Sequence, residues 1–220
     1  MPINTMQRSI YHAMQAAMLL ASSAPTRNPG DQGGGSGVTL SPAEIASGIT
    51  TIEIGGITFR DMSAPVNAML TNHANEARAQ RRGVPAGLPP GFNTFPIRWA
   101  DSLAGYLWIL ENFAEGQRFD FKHEESWERQ FPYTRFHGVD DLFVVNGVLM
   151  GSADLGNLHF GYVTSALGIP TATQLIGAGV MHVRDHGGLP IENIRHFGDS
   201  PRCRYFTDLG RYWYRHGRFR

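Results

Sequence analysis

The segment from Phe119 to Lys122, FDFK, holds the first residues whose types and spacing suit chemistry. Aromatic and polar residues alternate in it, which predicts a strand with Asp120 and Lys122 on one face. Asp-x-Lys on a strand is an arrangement that nucleases use to hold a metal ion and a water molecule. Lys122 is also the only lysine in the chain. The alternative interpretation is a surface ion pair, which would contribute little to stability.

A second group of polar residues follows a predicted hairpin, at the start of a predicted helix from Gly156 to Leu167. Asp154 is either the N-cap of this helix or a catalytic carboxylate that the helix dipole keeps ionised. Three side chains on the helix are predicted to bind substrate: Asn157, His159 and Tyr162. The alternative for His159 is a hydrogen-bonded core histidine, because its neighbours in the sequence are apolar.

Two more acids complete the predicted catalytic set. Glu111 lies near the end of a helix predicted from Trp99 to Phe113, which precedes FDFK in the chain. Lysozyme-like enzymes place their general acid at a helix end, and Asp120 or Asp154 would then be the second carboxylate. The alternative is a solvated helix end. Asp199 precedes Ser200-Pro201 and is either a helix N-cap or a further catalytic acid.

Other reaction classes find less support. Cys203 is the only cysteine, which excludes an internal disulfide and a cysteine-based structural zinc site. No dedicated histidine partner is evident for a cysteine amidase built on it, although His196 is near in the sequence. His182 and His186 have zinc-ligand spacing only if the helix continues through Asp185–Gly188, a stretch typical of a helix end. We predict no cofactor, except a divalent metal ion if the reaction is nucleolytic.

The elements that must position these residues alternate between helices and short hairpins. Hairpins are predicted at residues 50–59, around Gly55-Gly56, and at residues 142–150, where Asn146-Gly147 suits a type I′ turn. Further helices are predicted from Asp61 or Ser63 to about Gln80, from Thr171 to Val183, and from Asp199 or Ser200 to about His216. The order of elements predicts an α+β fold, mainly α-helical with small β-hairpins, and Glu111 suggests a lysozyme-like arrangement.

The first 37 residues are predicted to form a separate region. An amphipathic arm helix with Ile10, Met14 and Met18 on one face precedes a Gly- and Pro-rich linker at residues 25–37. A weak signal peptide is the alternative for the arm. The catalytic domain is then expected at residues 38–220. No apolar run approaches the roughly 20 residues that a membrane span needs.

Charge is distributed unevenly along a chain of 220 residues whose formal net charge is zero. Residues 101–160 hold ten acids and four bases, which gives a net charge of −6. Residues 184–220 hold eight arginines and four acids, which gives +4. A protein that grips nucleic acid normally has a stronger basic surface than this. Paired carboxylates with many aromatic residues favour a sugar polymer instead.

Three motifs in order resemble the polymorphic toxin type 44 family, over roughly residues 100–215. They are FDFK, the segment DLGNLHFGYVTSALGI (154–169), and the segment FGDSPRCRYFTDLGRYWY (197–214). The chain departs from the family pattern in the third motif. Ser200 stands where a second aspartate is usual, and Arg202-Cys203-Arg204 replaces a more acidic stretch.

The resemblance implies an antibacterial toxin that is delivered into a target bacterium and neutralised by a cognate immunity protein. A secretion carrier or chaperone would bind the N-terminal arm. We expect a hydrolase that cleaves a bacterial polymer, with peptidoglycan in the periplasm as the first choice of substrate. The alternatives are a nuclease acting in the target cytoplasm, with Asp120, Lys122 and Asp199 as its site, and a non-enzymatic adaptor of the secretion apparatus.

Overall fold

A computed structural model describes residues 38–82, 108–109, 111–136, 138, 141–174 and 200–217. Every element below belongs to one compact unit, Thr39–Arg220. None of its described helices is long and apolar enough to cross a membrane.

Two hairpins form one four-stranded sheet in the order β1-β2-β3-β4. Strands β1 (Thr50–Ile54) and β2 (Ile57–Asp61) pair antiparallel, as do β3 (Phe143–Val145) and β4 (Val148–Met150). Strand β2 joins the two hairpins by pairing parallel with β3, with Arg60 opposite Phe143. Both turns consist of two residues with positive φ, so they have the twist that tight hairpins prefer. The predicted turns at Gly55-Gly56 and Asn146-Gly147 are therefore confirmed.

Two helices flank the first hairpin. The short helix α1 (Pro42–Ala46) has a capping box, in which Ser41 and Glu44 bond reciprocally to each other's backbone N–H groups. Helix α2 (Ser63–Arg82) begins where Asp61 accepts hydrogen bonds from both the backbone N–H and the hydroxyl of Ser63. Its buried side chains recur at helical spacing on one face: Val66, Met69, Leu70, His73, Ala74 and Ala77.

A short helix, α3 (Glu124–Gln130), precedes the second hairpin. Helix α4 (Ser152–Ala166) follows that hairpin and is the centre of the fold. Eleven of the fifteen residues of α4 are buried, which is typical of a helix covered on most sides. Helix α2 packs on one side of it, and helix α5 (Pro201–His216) packs on another. Ser200 caps α5 by accepting a hydrogen bond from the N–H of Cys203, 3.1 Å away.

Two glycines let α4 and α5 approach each other closely. A Cβ atom added to Gly161 would lie 2.0 Å from the carbonyl oxygen of Thr207. One added to Gly210 would lie 1.9 Å from the carbonyl oxygen of Leu158. Both contacts involve helix backbone, which cannot move away as a flexible side chain can. The absence of side chains at these two positions therefore sets the distance between the helices.

The predicted α+β class, with helices dominating a small sheet, is confirmed. The predicted bounds of α2 and α5 also hold, and α4 ends before Gly168 as expected. Helix α4 begins at Ser152, four residues earlier than predicted, because the chain enters it directly from β4. Residues 108–109 and 111–113 are helical, in line with the end of the helix predicted from Trp99, whose start lies outside the described residues.

The prediction of a strand at residues 118–122 is wrong. This segment is a series of turns, in which the N–H of Asp120 donates to Gln117 O and the N–H of His123 donates to Asp120 O. Alternation failed as a signal because Phe119, Asp120 and Phe121 are all buried, so the segment has no exposed polar face. Asp120 is buried and Lys122 is exposed, and the shared strand face expected for them does not exist.

We expect Gly161→Ala to lower the free energy of unfolding by about 1–3 kcal/mol or more, because the new methyl group meets Thr207 backbone. The matched control is Gly156→Ala on the same helix, where an added Cβ has no neighbour within 4 Å. That change should raise stability by about 0.5–1 kcal/mol, since alanine favours helices over glycine. Urea unfolding measures both, and equal effects would contradict the close contact.

Candidate functional site

Asp120 and His123 form a carboxylate–histidine pair at the end of the turns that follow residue 113. Nε2 of His123 lies 3.2 Å from Oδ2 of Asp120, and the same oxygen accepts a hydrogen bond from the N–H of Gly116 at 3.0 Å. The Asp120 side chain is 4% exposed, whereas that of His123 is 47% exposed. A buried acid therefore holds a histidine whose ring faces solvent over part of its surface.

This pair has the chemistry of an oriented general base. When Nε2–H of a neutral imidazole donates to a carboxylate, Nδ1 becomes the acceptor that can take a proton. The carboxylate fixes the tautomer and stabilises the imidazolium ion that forms, as the acid does in catalytic triads. Lys122, also exposed, is the adjacent residue and supplies a positive charge. His123 was missed in the sequence, although it directly follows FDFK.

Asp154 is buried between helices α4 and α5 and not presented to a substrate. Its Oδ1 accepts from Nε of Arg202 at 2.7 Å, and its Oδ2 accepts from Nη2 at 2.6 Å. Oδ2 also accepts from the N–H of Gly151 at 2.9 Å. Asp154 lies in the first turn of α4 and not at its N-cap, which is Gly151. This carboxylate therefore ties the start of α4 to the start of α5.

The other predicted site residues are dispersed. Glu111 is exposed, so it lacks the burial by which a lysozyme-like general acid would be tuned. Asn157 donates to the carbonyl oxygen of Ala153 in its own helix, at 3.0 Å. Tyr162 is 6% exposed, and its ring packs edge-on against Tyr214. Asp199, like His182, His186 and His196, lies outside the described residues.

His159 belongs to a buried group of rings that we call the histidine cluster: His73, Phe113, Phe119, Phe121 and His159. Nδ1 of His73 and Nε2 of His159 are 2.8 Å apart, within hydrogen-bond distance. The three phenylalanine rings lie with their centroids 4.7 to 5.2 Å from that of His159. Two of them come from FDFK, so the cluster fastens the turn that bears Asp120 to helices α2 and α4.

Both histidines of the cluster are held neutral. Burial lowers the pKa of His73 to about 4, and the positive charge of Arg118 adds to the effect. Burial also lowers the pKa of His159 well below its ordinary range, and His73 and Arg118 contribute further. His159 is therefore a core histidine, which was the alternative to a substrate-binding role. Its Nδ1 has no hydrogen-bond partner among the described residues. Its predicted role in substrate binding is not supported by this burial.

The described part of the chain contains no cluster of three His, Cys, Asp or Glu side chains that could hold a metal ion. The predicted metal-holding residues Asp120 and Lys122 do not share a face, and Asp120 already binds His123 and Gly116. The chemistry available to the Asp120–His123 pair is proton transfer, in which His123 takes the proton and Asp120 orients the imidazole ring.

We expect Asp154→Asn to lower the free energy of unfolding by about 1–3 kcal/mol, because it weakens two charge-assisted hydrogen bonds to Arg202 in a buried position. The control is Asp208→Asn, whose carboxylate is 42% exposed and pairs with Arg204 and Arg211. Asp208→Asn should lower the free energy of unfolding by less than about 1 kcal/mol. A smaller effect at position 154 than at 208 would contradict the structural role of Asp154.

The histidine cluster predicts an acid-sensitive fold. The unfolded chain binds protons at His73 below pH 6.5, whereas the folded chain does so only near pH 4. Stability due to this group is therefore complete above pH 6.5 and is lost as the pH falls, by about 3 kcal/mol in total. Unfolding free energies at pH 7 and pH 5 test this.

The variant His73→Phe should show a smaller drop between those two pH values, while His216→Gln, which changes an exposed histidine, should behave as the unmodified protein does. The same stability at pH 7 and pH 5 in the unmodified protein would contradict the assignment of a neutral, buried pair.

No family model matches the chain, and neither a curated protein nor a solved structure matches it. The function of the protein must therefore be inferred from its own residues.

Proposed function

We propose that this chain is an antibacterial toxin that cleaves RNA, with His123 as general base and Asp120 as the acid that orients it. The observation that carries the proposal is the contact of 3.2 Å between a buried carboxylate and a half-exposed histidine. Forming this pair costs free energy, because the Asp120 carboxylate is removed from water while it holds the ring of His123 in place. A functional role for the pair would explain that cost.

RNA suits this pair because its own 2′-hydroxyl is the nucleophile. His123 would take the proton of the 2′-OH, the 2′ oxygen would attack phosphorus, and the bond from phosphorus to the 5′ oxygen would break. The products are a 2′,3′-cyclic phosphate and a 5′-hydroxyl, whose oxygen takes up a proton from water. Lys122 beside His123 is a cation suited to the negative charge that develops on the phosphate oxygens.

Hydrolysis of peptidoglycan remains the second candidate. Cleavage of a glycosidic bond requires two carboxylates facing the substrate. Asp154 is occupied by Arg202 and Gly151, and Asp120 by His123 and Gly116. The observation in favour of this candidate is the position of Glu111, although Glu111 is exposed. The N–H of Phe119 donates to the carbonyl oxygen of Asn112, the residue after Glu111, at 2.9 Å, and this contact joins the helix end to the turns that bear Asp120 and His123.

The biological setting rests on the resemblance to type 44 toxins. An RNase toxin would act in the cytoplasm of the target bacterium, whereas a wall hydrolase would act in its periplasm. A cognate immunity protein would block the site, and a secretion carrier would bind the N-terminal arm. A non-enzymatic adaptor is the remaining alternative, and it would not depend on the Asp120–His123 pair.

Growth of bacteria that express the protein with and without a periplasmic export signal tests these candidates. The RNase proposal predicts killing by the cytoplasmic form and cleavage of purified RNA in the presence of a metal chelator. His123→Gln should reduce cleavage about 10²–10⁴-fold, the usual contribution of a general base. Because His123 is half-exposed, this change should leave the unfolding transition intact.

His216→Gln is the matched control, since it changes another exposed histidine on a described helix and should retain full cleavage. Killing confined to the exported form, with RNA intact, would replace the RNase proposal with wall hydrolysis. Toxicity that persists in both His123→Gln and Asp120→Asn would contradict every enzymatic role of the pair. If it persisted in Glu111→Gln as well, the adaptor would be favoured over wall hydrolysis.

A further inference from the structure

The turn of the second hairpin holds the only Asn-Gly pair in the sequence, Asn146-Gly147. It connects β3 to β4 between the paired residues Val145 and Val148. Asn146 is half-buried and has a φ of 50°. Gly147 is exposed, and an atom added at its Cβ position would have no neighbour within 4 Å. The glycine side of this turn is therefore open, whereas the asparagine side is packed.

Asn-Gly pairs are chemically reactive because glycine has no side chain to hinder attack by its backbone nitrogen. That nitrogen attacks Cγ of the asparagine, the bond from Cγ to Nδ2 breaks, and Nδ2 leaves as ammonia with the proton of the glycine N–H. The succinimide ring that results takes up water and opens to aspartate or to isoaspartate. The reaction needs no enzyme and no cofactor, but the asparagine amide must be free to turn toward the glycine.

In the folded protein the Asn146 amide is held by helix α2. Its Oδ1 accepts a hydrogen bond from Nδ2 of Asn67 at 2.9 Å, and its Nδ2 donates to Oδ1 of Asn67 at 3.0 Å. The backbone N–H of Asn146 also donates to the hydroxyl oxygen of Ser63, at 2.7 Å. Both polar atoms of the amide are thus bound to a residue 79 positions earlier in the chain. The amide cannot turn toward Gly147 without breaking these two bonds.

We propose that Asn146 is a site of spontaneous deamidation that Asn67 restrains in the folded protein, and that its conversion loosens the second hairpin from helix α2. A carboxylate at position 146 can only accept hydrogen bonds, so one of its oxygens would face Oδ1 of Asn67 without a proton between them. Isoaspartate would also add a backbone atom to a turn of two residues. The site uses neither Asp120 nor His123 and is independent of the proposed RNase reaction.

Incubation of the full-length protein in a mildly alkaline buffer, followed by peptide mapping with mass spectrometry, tests the proposal. The peptide that contains Asn146 reports the rate at which the amide becomes an acid. The folded protein should deamidate about tenfold more slowly than the same protein unfolded in guanidinium chloride, because ring closure must first break two hydrogen bonds. Equal rates in the folded and unfolded protein would overturn the proposal.

Asn67→Ala removes the restraint and should raise the rate in the folded protein about tenfold. Asn67→Asp keeps an acceptor for Nδ2 of Asn146 but loses the donor to its Oδ1, so its rate should be intermediate. Asn72→Ala is the matched control, since it removes an exposed asparagine from the same helix and should leave the rate unchanged. If Asn67→Ala and Asn67→Asp, both shown to be folded, deamidate as slowly as the unmodified protein, the proposal is overturned.

Asn146→Asp is one of the two products, and it tests whether conversion loosens the hairpin. This variant should unfold at a lower denaturant concentration than the unmodified protein, because it loses the hydrogen bond donated to Asn67. An unchanged midpoint would overturn that part of the proposal. Since mass and stability are the quantities measured, these results are separate from the loss of RNA cleavage expected in His123→Gln.

Discussion

The fold depends on the close packing of helices α4 and α5. At Gly161 and Gly210 the backbone of one helix touches the backbone of the other, with no room for a methyl group between them. Contact at this distance brings large side chains of α5 into the core, and Phe206, Leu209 and Trp213 are all nearly inaccessible to solvent. Dense packing of this kind leaves little freedom for the angle at which α5 crosses α4.

The ion pair between Asp154 and Arg202 is a consequence of that packing. Both residues lie in the first turns of their helices, 48 positions apart in the chain, and they meet because the helices run together. Arg202 is itself half-exposed, but its guanidinium group reaches a carboxylate that is buried.

The opposite side of α4 carries the histidine cluster, which connects the core to the candidate site. Phe119 and Phe121 enclose His159, and the residue between them, Asp120, faces Gly116 and His123. The aromatic residues of FDFK thus fix the turn, and its acid fixes the histidine that follows. A carboxylate on a well-packed turn holds its partner with the small positional freedom that proton transfer requires.

Local features of this protein could be predicted from the sequence alone. Asn146-Gly147 predicted its turn because few residues adopt positive φ readily, and Ser200-Pro201 predicted the start of α5 because capping involves only neighbouring residues. The α+β class followed from the order of such elements. Each of these depends on contacts within a few positions of the chain.

Only the tertiary structure decided the roles of the polar residues. The partner of His159 lies 86 positions away, and that of Asp154 lies 48 positions away, so no local pattern distinguishes a buried contact from a catalytic one. Alternation in FDFK predicted a strand, but burial of both aromatic residues and of Asp120 between other elements made it a turn. Residue types determined which chemistry was available, whereas packing determined that Asp120 is buried and that His123, beside it, is left half-exposed.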